Sequence, residues 1–451
     1  MNFKKILIIL IILILILGSN FCYATSDIPE ISAGAAILID SSSEKILYSK
    51  NENEKMYPAS TTKILTAILV IENCNLDDIV TIPYEAISSI PSGYSIAALQ
   101  AGEQLTVQQL LQVMLIHSAN DAANVLAYHV SGSIDAFATL MNKKVADLGL
   151  TNTHFTNPSG MHDEKHYTTA YDLAIIMKYC MKNSTFRNLS SLKHCIIPST
   201  NKYEERVFNT TNELLTASNY YYEYAIAGKT GYTTQAKNCL VSVSNKDGFE
   251  LICVVLSAGL YDNNVSAKFI DTISLFNYGY DNYTIKKLRE KNAIATQIEI
   301  SNGTKETRNL DVLLANDLTA LVSQDDFEKD FDPEIEIFSN LFAPIAQNKI
   351  VGKITYNIDG IEYSSDLIAS HDVKISSFWT LSIQILLVIF ILFLLYKLMF
   401  ENSSKKKNYR KKLYWIKCWY IKNYISTFFD IFVYLFKVFT YYNAYIYWTS
   451  A

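Results

Sequence analysis

Three short groups in this chain, Ser60-Thr61-Thr62-Lys63, Ser118-Ala119-Asn120 and Lys229-Thr230-Gly231, have residue types that can perform nucleophilic chemistry together. A serine hydroxyl is a poor nucleophile until a neighbouring base takes its proton. A residue three positions on lies beside it across one helical turn, so Lys63 is positioned to serve Ser60. Only a neutral amine can accept a proton, and a second cation nearby, Lys229, would push the Lys63 pKa in the required direction. The chemistry is serine acyl transfer. Each group alone also fits a plain structural role: a capped helix, a turn between two helices, the end of a strand. Order, separation and flanking sequence together favour catalysis.

The elements that must position these residues are legible in the hydrophobic pattern. Ile64, Leu65, Ala67, Ile68 and Ile71 have helical spacing, which puts Ser60 at a helix N-terminus whose backbone N–H groups can supply part of an oxyanion hole. Ser118-Ala119-Asn120 falls between an apolar helix around Leu110 to Ile116 and a helix beginning near Asp121. Ala36 to Ile39 and Lys45 to Tyr48 read as a strand hairpin, and helical periodicity dominates through residue 182, with Thr168 or Thr169 capping a helix around Leu173 to Met177. Strands return at Lys229 to Thr230, then as a hairpin of Cys239 to Ser244 and Glu250 to Ser257 across Lys246-Asp247-Gly248, before a closing helix from Lys268 to Tyr278. Strands at both ends with helices between imply an α+β domain with one antiparallel sheet flanked by helices.

The flanking sequence carries a resemblance. Ala36-Ile37-Leu38-Ile39-Asp40, Lys45-Ile46-Leu47-Tyr48 and Tyr57-Pro58-Ala59-Ser60-Thr61-Thr62-Lys63 resemble the opening of the low-molecular-mass penicillin-binding proteins, the serine D-Ala-D-Ala carboxypeptidases. Asn157-Pro158-Ser159-Gly160 and His166-Tyr167-Thr168-Thr169-Ala170-Tyr171-Asp172 are similar to a segment typical of that family and not of β-lactamases at large. The resemblance covers roughly residues 30 to 375 and implies a β-lactamase/transpeptidase-like catalytic domain. It implies attack by Ser60 on the penultimate D-alanine carbonyl of a peptidoglycan stem pentapeptide, with Lys63 as base and Ser118 passing a proton to the leaving amine. Asn120 would hold the peptide amide or position Lys63. Lys229 and Thr230 would meet the terminal carboxylate on the strand that continues through Gly231, and the N–H groups of Ser60 and Tyr232 would form the oxyanion hole. β-Lactams would be covalent inhibitors, and neither a cofactor nor a metal is implied. Two positions depart from the family: Lys237 stands where glycine is usual after Ala236, and Lys268 where many members carry arginine. Lysine lacks arginine's bidentate fork, so either departure could weaken carboxylate recognition. The rivals are an endopeptidase on cross-linked stems, a catalytically silent wall-binding scaffold, and a β-lactamase, for which the expected Glu-x-x-Leu-Asn pattern is not found.

The rest of the chain reads as an envelope protein. Its 451 residues leave room for more than one domain, and a net charge of -5 without a basic globular patch gives no sign of nucleic acid binding. Lys4 and Lys5, the apolar run from Ile6 to Leu17 and Cys22-Tyr23-Ala24 read as a signal peptide, residues 1–24. The catalytic domain then covers 28–280. From 281 to 374, short alternating runs such as Gln297 to Ile300, Asp311 to Leu314 and Lys353 to Tyr356 form a small β-rich C-terminal domain, a stalk or a surface for cell-wall synthesis proteins. Ile375 to Tyr396 is uncharged and long enough for a transmembrane helix, assigned to 375–397. Lys405, Lys406, Lys407, Arg410, Lys411 and Lys412 follow, which makes 398–451 a cytoplasmic tail and sets the catalytic domain on the outer face of the cell membrane. Cys74, Cys180, Cys195, Cys239 and Cys253 show no metal spacing and predict no disulfide framework. His162-Asp163-Glu164-Lys165-His166 has its acid in the wrong place for a zinc-protease helix.

Overall fold

The structure, a computed structural model, describes residues 28–261 and 265–403. The expected signal peptide and the tail from residue 404 lie outside the described residues. Backbone contacts divide the chain into two compact units: one runs to Thr296 with Val312–Ser339 and Ile350–Ile368, and the other comprises Gln297–Asp311, Asn340–Lys349 and the chain from Ala369 onward.

The first unit is organised by a five-stranded antiparallel sheet of β1 (Ala35–Asp40), β2 (Ile46–Lys50), β3 (Ala225–Thr233), β4 (Lys237–Lys246) and β5 (Phe249–Ala258) in the order β2-β1-β5-β4-β3. Every residue of β1 is buried, because side chains alternate between two covered faces. Ala35, Ile37 and Ile39 enter one apolar cluster, together with helices α1 (Lys63–Asn73), α2 (Val107–Ile116), α3 (Asn120–Ser131), α4 (Ile134–Asp147) and α5 (Ala170–Met181). Ala36 and Leu38 enter a second, covered by α6 (Ala267–Asn282) through Phe269, Leu275 and Phe276. Helices on both faces of one antiparallel sheet match the expected α+β class. Thr169, not Thr168, caps α5, its Oγ1 accepting the Asp172 N–H at 3.0 Å.

Beyond α6 the chain becomes β-rich: β6 (Tyr283–Arg289), β7 (Ile294–Glu299), β8 (Asn309–Leu314), β9 (Leu318–Ser323), β10 (Glu334–Ile337), β11 (Ile350–Ile358) and β12 (Ile361–Ala369). β6 pairs with β9, and β10, β11 and β12 form an antiparallel ladder. Ile358 pairs with Ile361 across Asp359-Gly360, whose positive φ values of 53° and 79° are those of a two-residue hairpin turn. The last helix, α7 (Ser377–Ser403), contains a 21-residue stretch, Ser377–Lys397, with mean hydropathy 2.6 and no side of it buried. It is long and apolar enough to cross a bilayer. It starts two residues later than the uncharged run, because Ile375 forms a β-bridge with Gly303.

Candidate active site

Ser60 sits on a turn of 3-10 helix, Ala59–Thr62, that runs directly into α1, whose first residue is Lys63. Their i, i+3 spacing puts the Lys63 Nζ 2.9 Å from the Ser60 Oγ. The amine lies 2.6 Å from the Asn120 Oδ1 and 2.6 Å from the Ser159 carbonyl, both pure acceptors. A neutral amine has two N–H bonds and one lone pair. Donating to those two oxygens leaves the lone pair for the Ser60 hydroxyl. Lys63 is fully buried, and burial, then the Lys229 cation, hold it well below the ordinary lysine value against a smaller opposing pull from Asp121.

The second group arrives on a break between helices. α2 ends at Ile116, Ser118 takes a left-handed φ of 66°, and α3 begins at Asn120, so the break carries Ser118 and aims Asn120 at Lys63. Asn120 donates its N–H to the Ser95 carbonyl at 2.8 Å. The neighbouring Asp121 carboxylate accepts N–H groups of Ala97 (2.9 and 3.0 Å), Leu99 (3.1 Å) and Ala122 (2.9 Å), tying the 95–99 loop to the start of α3.

The third group lies on β3. A Cβ on Gly231 would stand 2.9 Å from the Ser60 N and 3.0 Å from the Pro58 carbonyl, so only glycine lets the strand run this close to the nucleophile turn. Lys229 is buried, its Nζ donating to the Thr230 carbonyl at 2.9 Å, and burial, then the Lys268 cation, bring its pKa down to about 7. The Thr230 and Thr211 hydroxyls are 2.6 Å apart, and Tyr232 is exposed. Of the two departures, Lys268 belongs to this group: its Nζ lies 3.4 Å from the Asn238 Oδ1 and 5.0 Å from the Phe269 ring centre, and burial lowers its pKa. Lys237 is exposed, with a left-handed φ of 55° that a glycine would adopt without strain.

Residues of the first unit thus bring a serine, a buried amine, an amide and a buried cation around one turn. A family model described as D-alanyl-D-alanine carboxypeptidase matches residues 23–259, more than half of the sequence. The chain belongs to the D-alanyl-D-alanine carboxypeptidase family. It is a serine-type hydrolase of that activity, and residues 283–374 match the C-terminal domain of penicillin-binding protein 5. The D-alanyl-D-alanine carboxypeptidase DacF of Bacillus subtilis is 30% identical over 362 residues, 79% of this chain and 89% of that one. Penicillin-binding protein 5 of Haemophilus influenzae, a crystal structure, is 28% identical with a TM-score of 0.62, covering 77% of this chain and 99% of the other. A mutant of the Streptomyces K15 DD-transpeptidase is 32% identical with a TM-score of 0.52, covering 56% and 99%.

Two groups of this carboxypeptidase that reading for side-chain chemistry missed also meet these residues. The Ser159 carbonyl on Lys63 is a backbone atom, and its only signal is the Asn157-Pro158-Ser159-Gly160 run. Asn157 Oδ1 organises that turn by accepting the N–H groups of Ser159, Gly160 and Met161 at 2.8 to 3.2 Å. His166 is the other. Its Nδ1 accepts the Thr156 N–H at 3.0 Å, which leaves the proton on Nε2 to be donated to the Thr62 Oγ1 at 2.8 Å. Thr62 donates in turn to the Ala59 carbonyl at 2.8 Å, bracing a residue whose φ is +49° immediately before Ser60. Burial pushes the His166 pKa down to about 3, so the ring stays neutral.

Proposed function

We propose that Ser60 is the nucleophile of a D-alanyl-D-alanine carboxypeptidase that removes the terminal D-alanine of a peptidoglycan stem pentapeptide through an acyl-enzyme. The observation that carries this is a fully buried Lys63 amine 2.9 Å from the Ser60 Oγ and 2.6 Å from both the Asn120 Oδ1 and the Ser159 carbonyl oxygen. Lys63 takes the Ser60 proton as the hydroxyl adds to the penultimate D-alanine carbonyl. The N–H groups of Ser60 and Tyr232 receive the developing oxyanion. The tetrahedral intermediate collapses with cleavage of its C–N bond, Ser118 relays the proton held by Lys63 to the departing D-alanine nitrogen, and water later hydrolyses the ester. Asn120 holds Lys63 in register, and Lys229 and Thr230 receive the substrate's terminal carboxylate, Lys268 adding charge behind Lys229. Gly231 permits the approach of the strand.

β-Lactams acylate the same serine in this reading, because the strained amide mimics the scissile bond while the opened ring keeps the leaving group tethered. The carboxypeptidase assignment is preferred to an endopeptidase because the relatives of greatest coverage bear the former name, although one Escherichia coli relative, 28% identical, is an endopeptidase. Residues 1–24 are assigned to a cleaved signal peptide, 28–280 to the catalytic domain, 281–374 to the β-rich domain, 375–397 to a membrane span and 398–451 to a cytoplasmic tail. The catalytic domain then works on the outer face of a bacterial membrane, and the β-rich domain offers a surface for other cell-wall proteins. The test is intact-mass analysis after a fluorescent penicillin, with product analysis on a defined pentapeptide. One adduct on Ser60, lost in Ser60→Ala together with D-alanine release, is expected. An adduct elsewhere would remove the nucleophile assignment.

A further inference from the structure

The second compact unit holds an exposed apolar loop tied to the beginning of α7. From residue 340 to 348 the sequence Asn-Leu-Phe-Ala-Pro-Ile-Ala-Gln-Asn carries no charge, and Phe342 is 60% exposed. Asn302 fixes where that loop sits. Its buried side-chain amide donates to the Ala343 carbonyl at 2.9 Å and accepts the Ala343 N–H at 2.7 Å, while its own carbonyl accepts the Ser376 N–H at 2.9 Å. Phe342 and Ser377 are therefore each one residue from a group bonded to Asn302. A second tie, a two-way bridge between Ile345 and Val373 at 3.0 and 2.8 Å, holds the loop on its other side.

That attachment fixes a depth. The apolar stretch Ser377–Lys397 has 21 residues, and at about 1.5 Å per residue it matches a hydrocarbon core of roughly 30 Å, which puts Ser377 at the boundary between acyl chains and headgroups. A group held beside Ser377 lies at the same level, where Trp and Tyr are enriched and a Phe side chain can bury at the headgroup–acyl boundary. Phe378 and Trp379 on the first turn of α7 belong to that level too. The charges of this unit before α7 are balanced, Lys305, Arg308, Lys349 and Lys374 against Glu299, Glu306, Asp311 and Asp372, so apolar insertion and not net charge is the available driving force.

We propose that loop 340–346 is a second membrane contact, with Phe342 entering the outer interfacial layer of the lipid beside the first turn of α7. It rests on the reading of α7 as a membrane span. Two contacts resist tilting of the unit at the bilayer where a single helix acts as a swivel.

The experiment uses the full chain in vesicles of neutral phosphatidylcholine, with the photoreactive p-benzoylphenylalanine placed at Phe342, at Phe390 in mid-helix, or at exposed Tyr221 in the first unit. Penicillin labelling of each variant reports that it is folded. Lipid adducts are expected at Phe342 and Phe390, with at least ten-fold less at Tyr221, and without any need for anionic lipid. A lipid adduct at Phe390 with none at Phe342 would overturn the loop contact and leave the span intact. No lipid adduct at either position would overturn both readings. A protein adduct at Phe342 would overturn the proposal in favour of a polypeptide partner, and an equal lipid yield at Tyr221 would make the contact non-selective and overturn it as well.

Discussion

Two regions of this carboxypeptidase break the ordinary rule of burial in opposite senses. Around Ser60, groups that belong in water are buried: Lys63 at 0% exposure, Lys229 at 1%, His166 at 2% and Asn120 at 3%. Beside α7, groups that belong in a core are exposed, Phe342 and Phe378 at 60% and 61%. A buried amine is tolerable only if it can become neutral and its hydrogen bonds are filled, and this is the state a general base needs. An exposed phenyl ring, by contrast, gains nothing from water, and next to an apolar helix it is placed to meet another apolar phase. Under the two proposals made above, departures from the burial rule mark function at both places, through desolvation of charge at one and solvation by lipid at the other.

The contrast can be broken most decisively at Lys63. Lys63→Arg keeps a cation but removes the group able to become neutral, and penicillin acylation followed by stopped flow should fall by roughly 10²–10⁴, the usual contribution of a general base. Near-normal acylation would show that burial of Lys63 serves packing alone. Gly160→Ala tests how tightly the buried region is built. The glycine has φ +81° and its Cβ would stand 1.8 Å from the Ala59 carbonyl oxygen, so thermal unfolding should report a loss of about 1–3 kcal/mol or more. Unchanged stability together with unchanged acylation would mean that the 157–160 turn does not brace the nucleophile.

Lys229→Gln produces a subtler change. The Lys229 cation depresses the Lys63 pKa, so its removal raises that pKa, lowers the neutral fraction at a given pH and moves the ascending limb of the acylation profile upward. In the wild type, binding of a carboxylate-bearing peptide should weaken as pH rises through about 7, because Lys229 loses its proton there. A profile that does not move would uncouple the two lysines. Least of all should happen with Phe342→Ser, whose side chain is exposed: chemical unfolding in detergent should change by no more than about 0.5 kcal/mol. A larger loss would make Phe342 a core residue and dissolve the comparison.

Much of the catalytic region was legible in the sequence because its signals are local. One helical turn joins Ser60 to Lys63 whatever surrounds them, and the short apolar run Ala36 to Ile39 marks a strand. The break after Ile116 predicts where Ser118 and Asn120 fall. The three motifs, the α+β class and the uncharged span before Lys397 follow from period, spacing and length. The β-rich region was legible as a class from its short runs and its Asp-Gly turn, but strand pairing was not, since register depends on partners far along the chain.

Only the tertiary structure decided what those residues amount to chemically. Asn120 meets Lys63 across 57 positions and the Ser159 carbonyl meets it across 96, and a carbonyl common to every residue leaves no trace in residue type. The lowered pKa of Lys63 belongs to its burial beside Lys229, a surrounding assembled from distant segments. His166 is one residue of a family-like run until Thr62 and Thr156 fix its tautomer, and Lys268 a substitution until Lys229 is found in its field. The sequence by itself determined the placement of Ser60 one turn from Lys63 and the apolar span, because local geometry and composition suffice for these. Desolvation, long-range hydrogen bonds and the Asn302 clamp at the start of α7 exist only once the chain has closed on itself, because each depends on atoms that folding alone brings together.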